Sequence, residues 1–173
     1  MDELEEGIER VIAGPERKSR RLSDHEKEVT AYHEVGHALV GKALPKCDPV
    51  HKVSIISRGQ ALGLTWYLPT EDRYLRSKAE LMDTIAAAMG GRVAEELVFK
   101  DVTWGAENDI QKVTNIARRM VTQWGMSDKL GPVTMGHKEE LVFLGRDLGE
   151  QRNYSEEVAA IIDEEIRNIV NHG

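Results

Sequence analysis

Residues 30 to 40 read TAYHEVGHALV, which sets His33, Glu34 and His37 inside an apolar run with the spacing of a buried helix. Burying an unpaired carboxylate or charged imidazole costs several kcal/mol or moves its pKa by up to about 3 to 5 units. A chain that folds around this stretch must therefore give these three groups partners. On an α-helix, residues i and i+4 stand one turn apart on the same face, so His33 and His37 aim two ring nitrogens at one point. Glu34 is rotated about 100° from His33, beside the pair, where it takes a proton from water instead of competing as a ligand. Neutral imidazoles suit zinc, and a catalytic zinc takes three protein ligands and keeps one position open. The pattern predicts amide hydrolysis, with Glu34 as general base and then general acid.

The rest of the chain predicts the frame for this helix. Its 173 residues suit one domain with at most a small appendage, and folding can bury about 70% of the unfolded surface. A net charge of -7, with 31% charged and 40% hydrophobic residues, marks a globular chain and argues against nucleic acid as partner. The basic run ERKSRR, 16 to 21, reads as a solvated linker next to Gly14-Pro15. Cys47 is the single cysteine, so an internal disulfide is excluded. No apolar run approaches the ~20 residues of a membrane span and the amino terminus carries no signal pattern, so the stretch is expected to be soluble without inserting into a membrane.

Residues 2 to 13 read as a short acidic helix stopped by Gly14-Pro15. Ser23 with Glu26 forms a capping box that opens the histidine helix, whose apolar positions Val29, Tyr32, Leu39 and Ala43 recur until Pro45. HKVSIIS, a turn-like RGQ and the alternating LGLTWYL predict a small antiparallel sheet. Ser77 with Glu80 opens a second helix through AAAMGG to about Phe99, with Leu81, Ile85, Met89, Val93 and Leu97 as its apolar stripe. Gly90-Gly91 inside it costs about 1 kcal/mol per glycine relative to alanine, so close approach of the histidine helix is the expected compensation. A third helix is expected from Asn108 or Asp109 to Trp124, with Gly125 as its cap. A last one starts at Ser155 and buries Val158, Ile161, Ile162, Ile166 and Ile169. The fold class is mostly α with a small antiparallel β-sheet, a zincin-type helical protease domain.

The third ligand is not decided by these patterns. HExxHxxGxxH fails, because Val40 and Ala43 stand where its glycine and last histidine would be. Glu95, Glu96 and Asp109 all remain open.

Taken together, GPERKSR, YHEVGHALV, SRGQALGLTWYLP, GGRVAEELVF, GAENDIQKVTNIARRMVTQWGMSD, LGPV, VFLGRD and YSEEVAAIIDEEI resemble the peptidase domain of the FtsH family of membrane-anchored, ATP-dependent zinc metalloproteases. The likeness covers most of residues 4 to 166. It implies one Zn2+ per chain held by His33, His37 and Asp109, the aspartate of GAEND, with Glu34 catalytic. It also implies that Glu96, ahead of Glu95, orients a ligand histidine. The expected substrate is an unfolded polypeptide adding to the strand edge in LGLTWYL, with Gly63, Leu64 and Thr65 as substrate-strand residues and Gly63 admitting a close backbone. Trp104 stands where the family usually has a small hydroxyl residue, which predicts a bulkier loop before Asp109.

The GxxxxGK[ST] loop and membrane segments of complete family members are absent from this sequence. The expectation is a piece, with residues 1 to 22 as the tail of an ATPase domain plus linker and 23 to 173 as the zinc metallopeptidase domain, shortened at its C-terminus. ATP and Mg2+ would belong only to that ATPase domain. The parent is expected to be a homohexamer in the bacterial inner membrane, its protease facing the cytoplasm, or in an organellar equivalent. One rival is a metal-stabilised assembly module without proteolytic activity, its fourth ligand drawn from His25, His51 or His137. The other is a nucleic-acid-binding helical domain using residues 16 to 21, which the acidic total and few aromatics disfavour.

Overall fold

Two Ser-x-x-Glu boxes set where the longest helices begin. In the computed structural model, which describes residues 2–17, 22–59, 61–72, 74–136 and 153–173, the Ser23 hydroxyl accepts the Glu26 N–H at 3.2 Å. The Glu26 carboxylate accepts the Ser23 N–H in return at 2.7 Å. Ser77 and Glu80 repeat the exchange at 3.3 and 2.6 Å. Each box satisfies two N–H groups that the first helical turn leaves without partners.

Among the described residues the elements are α1 (Asp2–Ala13), α2 (Asp24–Ala43), β1 (Val50–Ser54), β2 (Leu64–Tyr67), α3 (Lys78–Phe99), α4 (Glu107–Thr122) and α5 (Glu156–His172). This is the mostly helical chain with a small antiparallel sheet that the sequence predicts. Its residues fall into two compact units, Met1–Ile110 and Gln111–Gly173.

In the first unit, β1 and β2 pair antiparallel, with Val53 opposite Thr65 and Ser54 opposite Leu64 and an irregularity between Val50 and Lys52. Helix α2 lies on both strands: the Tyr67 hydroxyl donates to the His37 carbonyl at 2.8 Å, and its ring fills the space a Gly41 side chain would take. Across α2 runs α3, and the crossing point is Gly36 against Gly90. A Cβ on Gly90 would lie 2.7 Å from the Gly36 carbonyl oxygen, and one on Gly36 would lie 2.7 Å from Ala94 Cβ. That contact explains why α3 tolerates the glycine pair. Leu81, Ile85, Ala87 and Ala88 of α3 form the apolar core here, with Ala106.

The apolar stripes expected on α2 and α3 are only partly buried. Tyr32 and Leu39 are exposed, Leu39 by 64%, as are Val93 and Leu97 on α3. What α2 buries is Thr30, His33, Glu34, Gly36, His37 and Gly41. The physical reason is that its polar groups find partners and its glycines admit α3, so contact distance rather than hydrophobicity selects the face. Gly36→Ala should accordingly destabilise the chain by about 1–3 kcal/mol, the range for overpacking, although helix propensity alone favours alanine by about 1 kcal/mol. Urea unfolding of the two proteins measures the sign.

In the second unit, Val113, Ala117, Met120 and Val121 of α4 and Ile162 and Ile166 of α5 are buried. Val158, Ile161 and Ile169 are half-buried, so the last helix buries a narrower stripe than expected. The turn after α4 is tied to α5 by Ser127 Oγ to Glu165 at 2.8 Å and by Lys129 Nζ to Glu164 at 2.9 Å. Gly125 caps the region with φ +60, as predicted, but α4 itself stops at Thr122 and Trp124 lies beyond it. The segment VFLGRD and His137 lie outside the described residues.

Candidate metal centre

Helical spacing brings His33 and His37 together: their Nε2 atoms are 3.0 Å apart. Both rings are aimed by α3. His33 Nδ1 lies 2.6 Å from Glu95 Oε1, and His37 Nδ1 lies 2.8 Å from the Ala87 carbonyl. With their Nδ1 protons donated to these acceptors, the rings turn their Nε2 lone pairs to a common point. Asp109, in the first turn of α4, brings Oδ2 to 3.3 Å from each Nε2. Among the described residues these three form the group whose ligand atoms all lie within 4.8 Å of one another.

Three lone-pair atoms at these separations repel unless a cation lies among them. Two imidazole nitrogens and a carboxylate oxygen are a donor set that zinc accepts. Gly91 of α3 lies against the cluster, where a Cβ would stand 2.6 Å from both Nε2 atoms. The residues present thus fit a small divalent ion.

Burial disfavours a charge on His33, but Asp109 and Glu95 outweigh it and hold the imidazole above its ordinary pKa. Burial likewise opposes ionisation of Asp109, yet the neighbouring His33 and His37 imidazoles hold its carboxyl far below the usual carboxylate range. Glu34 goes the other way: burial pushes its carboxyl up, only partly offset by the Thr65 hydroxyl and the two histidines. The Tyr67 phenol is pushed by burial to about 12 and stays a donor to the helix.

The predicted residues divide as follows. His33, His37 and Asp109 meet, and Glu34 lies beside them on α2. Glu96 does not take part: it is exposed, and Glu95, 2% exposed, is the carboxylate on His33. Glu95 lies one turn beyond Gly91, on the small-residue face that meets α2, whereas Glu96 is rotated about 100° away. That periodicity is the signal that distinguishes them. The other Glu95 oxygen accepts the Thr103 N–H at 2.8 Å, so the same carboxylate pins the loop leading to Asp109. That loop carries a short 3₁₀ turn, Trp104–Ala106, capped by Thr103, and α4 therefore starts at Glu107 rather than at Asn108 or Asp109. Trp104 itself is 85% exposed.

Gly63, Leu64 and Thr65 run beside Glu34, but what approaches Gly63 is the Glu34 side chain: a Cβ there would lie 2.6 Å from Glu34 Oε1. His25 packs edge-on against Phe99 and His51 against Trp66, and neither joins the cluster.

The family description "Peptidase family M41" matches residues 20–173. The chain belongs to peptidase family M41. Peptide-bond hydrolysis is the activity that the family description names. Among relatives of this M41 chain, the ATP-dependent zinc metalloprotease FtsH 1 of Thermoanaerobacter sp. (strain X514) is 61% identical over 170 residues, 98% of this chain and 28% of that protein. FtsH 1 of Sphaerobacter thermophilus is 62% identical over 168 residues, 97% of this chain and 26% of the relative. FtsH of Pseudothermotoga lettingae is 60% identical over 171 residues, 98% and 27% of the two chains. The M41 chain thus spans about a quarter of the length of these relatives.

Proposed function

We infer that this M41 domain is a zinc-dependent endopeptidase in which His33, His37 and Asp109 hold the metal and Glu34 moves the proton. The triangle of two Nε2 atoms and one carboxylate oxygen, at 3.0 and 3.3 Å, carries the assignment. Zinc bound there supplies Lewis acidity toward a peptide carbonyl. Glu34 takes the proton from the attacking water and returns it to the leaving amine, and its burial suits both duties by raising its proton affinity. Glu95 and the Ala87 carbonyl hold the rings in the tautomer that presents Nε2.

The substrate is an extended, unfolded polypeptide. Strand β2 is paired with β1 on one side and runs past Glu34, so main-chain pairing along Gly63, Leu64 and Thr65 would deliver a peptide bond to the carboxylate. Such recognition asks little of substrate side chains.

In a longer parent the domain would act beneath an ATPase, with residues 1 to 22 as that domain's tail and linker and 23 to 173 as the peptidase. The family match beginning at residue 20 and the words "ATP-dependent" in the relatives' names support this arrangement, with ATP and Mg2+ confined to the ATPase part. For that parent we propose anchoring in a bacterial inner membrane and assembly as a homohexamer; no described helix of this chain is long and apolar enough to cross a membrane.

Zinc analysis tests the ligand set. The parent chain should bind about one zinc, Asp109→Ala should lose most of it, and Glu96→Ala should keep it. A parent chain without zinc would overturn the assignment, and loss confined to Glu96→Ala would replace the third ligand.

A further inference from the structure

Thr65 stands on β2 with its hydroxyl 2.6 Å from Glu34 Oε2 and 2.9 Å from the Glu34 backbone carbonyl. Both neighbours are acceptors and the hydroxyl has one proton, so the closer, charged oxygen takes it. The contact spans two elements, because Thr65 is held in the β1–β2 ladder opposite Val53 while Glu34 belongs to α2. Beneath the same carboxylate lies Gly63, where a Cβ would come within 2.6 Å of Glu34 Cγ and Oε1. Glu34 is 8% exposed. Its side chain is therefore confined between a strand hydroxyl and the backbone just before β2, with Thr65 the polar group that selects its rotamer.

The geometry points to Thr65 as the positioning residue of Glu34, fixing the carboxylate relative to the strand on which the substrate pairs. Glutamate has three rotatable side-chain bonds, and without the hydroxyl the carboxylate samples orientations that miss the attacking water. Since Thr65 contacts Glu34 and not the imidazoles, its removal should leave metal binding intact. This role rests on the peptidase assignment above and deepens it.

The test compares Thr65→Val, which keeps the shape and removes the hydroxyl, with Thr65→Ser, which keeps the hydroxyl. Glu34→Gln serves as reference. Hydrolysis of a quenched-fluorescence peptide by the zinc-loaded chain gives kcat and KM; zinc content, thermal unfolding and crystal structures of the variants are read alongside. Thr65→Val should lower kcat by roughly 10- to 100-fold, the scale of losing one hydrogen bond to a charged group, with KM and zinc content unchanged. Its crystal structure should show Glu34 in more than one rotamer, and Thr65→Ser should recover most of kcat and the single rotamer. Because valine on β2 could disturb packing, Thr65→Ala is measured as well and should show the same split of kcat from KM.

Unchanged kcat in Thr65→Val beside an inactive Glu34→Gln would overturn the positioning role and leave the peptidase assignment standing. Equal losses in Thr65→Val and Thr65→Ser would overturn it too, since the hydroxyl would not be the agent. So would loss of zinc from both Thr65→Val and Thr65→Ala. Full activity in Glu34→Gln would instead remove the assignment on which the role depends.

Discussion

Replacing Glu34 by glutamine should leave about one zinc bound per chain while peptide hydrolysis falls by roughly 10²- to 10⁴-fold, the usual weight of general acid–base catalysis. Glutamine matches the shape and keeps an oxygen for the Thr65 hydroxyl at 2.6 Å, so the pocket between β2 and α2 is preserved. What disappears is the capacity to accept a proton and give it back. His37→Ala provides the contrast: it removes one corner of the metal triangle and should lose zinc and activity together. Metal analysis beside a peptidase assay separates the two outcomes, and undiminished hydrolysis by the glutamine variant would sink the role given to Glu34.

Alanine at position 91 should have an effect opposite in sign to its helix propensity. Relative to glycine, alanine favours a helix interior by about 1 kcal/mol. Here its Cβ would stand 2.6 Å from the Nε2 atoms of both His33 and His37, the atoms that would hold the metal. Gly91→Ala should therefore weaken zinc binding by about 10- to 100-fold, as other changes to the surroundings of metal ligands do. Gly7→Ala, on α1 with nothing within 4 Å of the new carbon, should bind zinc like the parent. Competition with a chromophoric chelator measures both. Parent-like affinity in Gly91→Ala would show that the ion does not lie where the two lone pairs converge.

Which parts of the molecule could be read from its sequence follows from which forces are local. The capping boxes at Ser23 and Ser77 act within four residues, and both helices begin where they predict. The HExxH spacing needs only one turn of helix, so the meeting of His33 and His37 was legible as well. The buried face of α2 was not. Periodicity singles out Tyr32 and Leu39, yet these are exposed, because a face lined by glycines and internally bonded polar groups gives no apolar signal. Asp109 comes from an element 76 residues beyond His33, a distance over which spacing carries no information, and only the family likeness favoured it. The expectation favours Glu96, yet helical phase alone distinguishes it from Glu95, the carboxylate on His33. Thr65 is expected only as a substrate-strand residue, and its contact with Glu34 gives no sequence signal, because a hydroxyl on a strand looks the same whether it faces solvent or a carboxylate.

The two groups that aim the imidazoles, the Ala87 carbonyl and the Glu95 carboxylate, sit about two helical turns apart on the single helix α3. Both imidazoles therefore take their aim from one continuous element. A change that bends α3 would turn the two rings together and spoil both ligands at once, whereas a change confined to the β1–β2 ladder would reach Glu34 through Thr65 and leave the pair aimed.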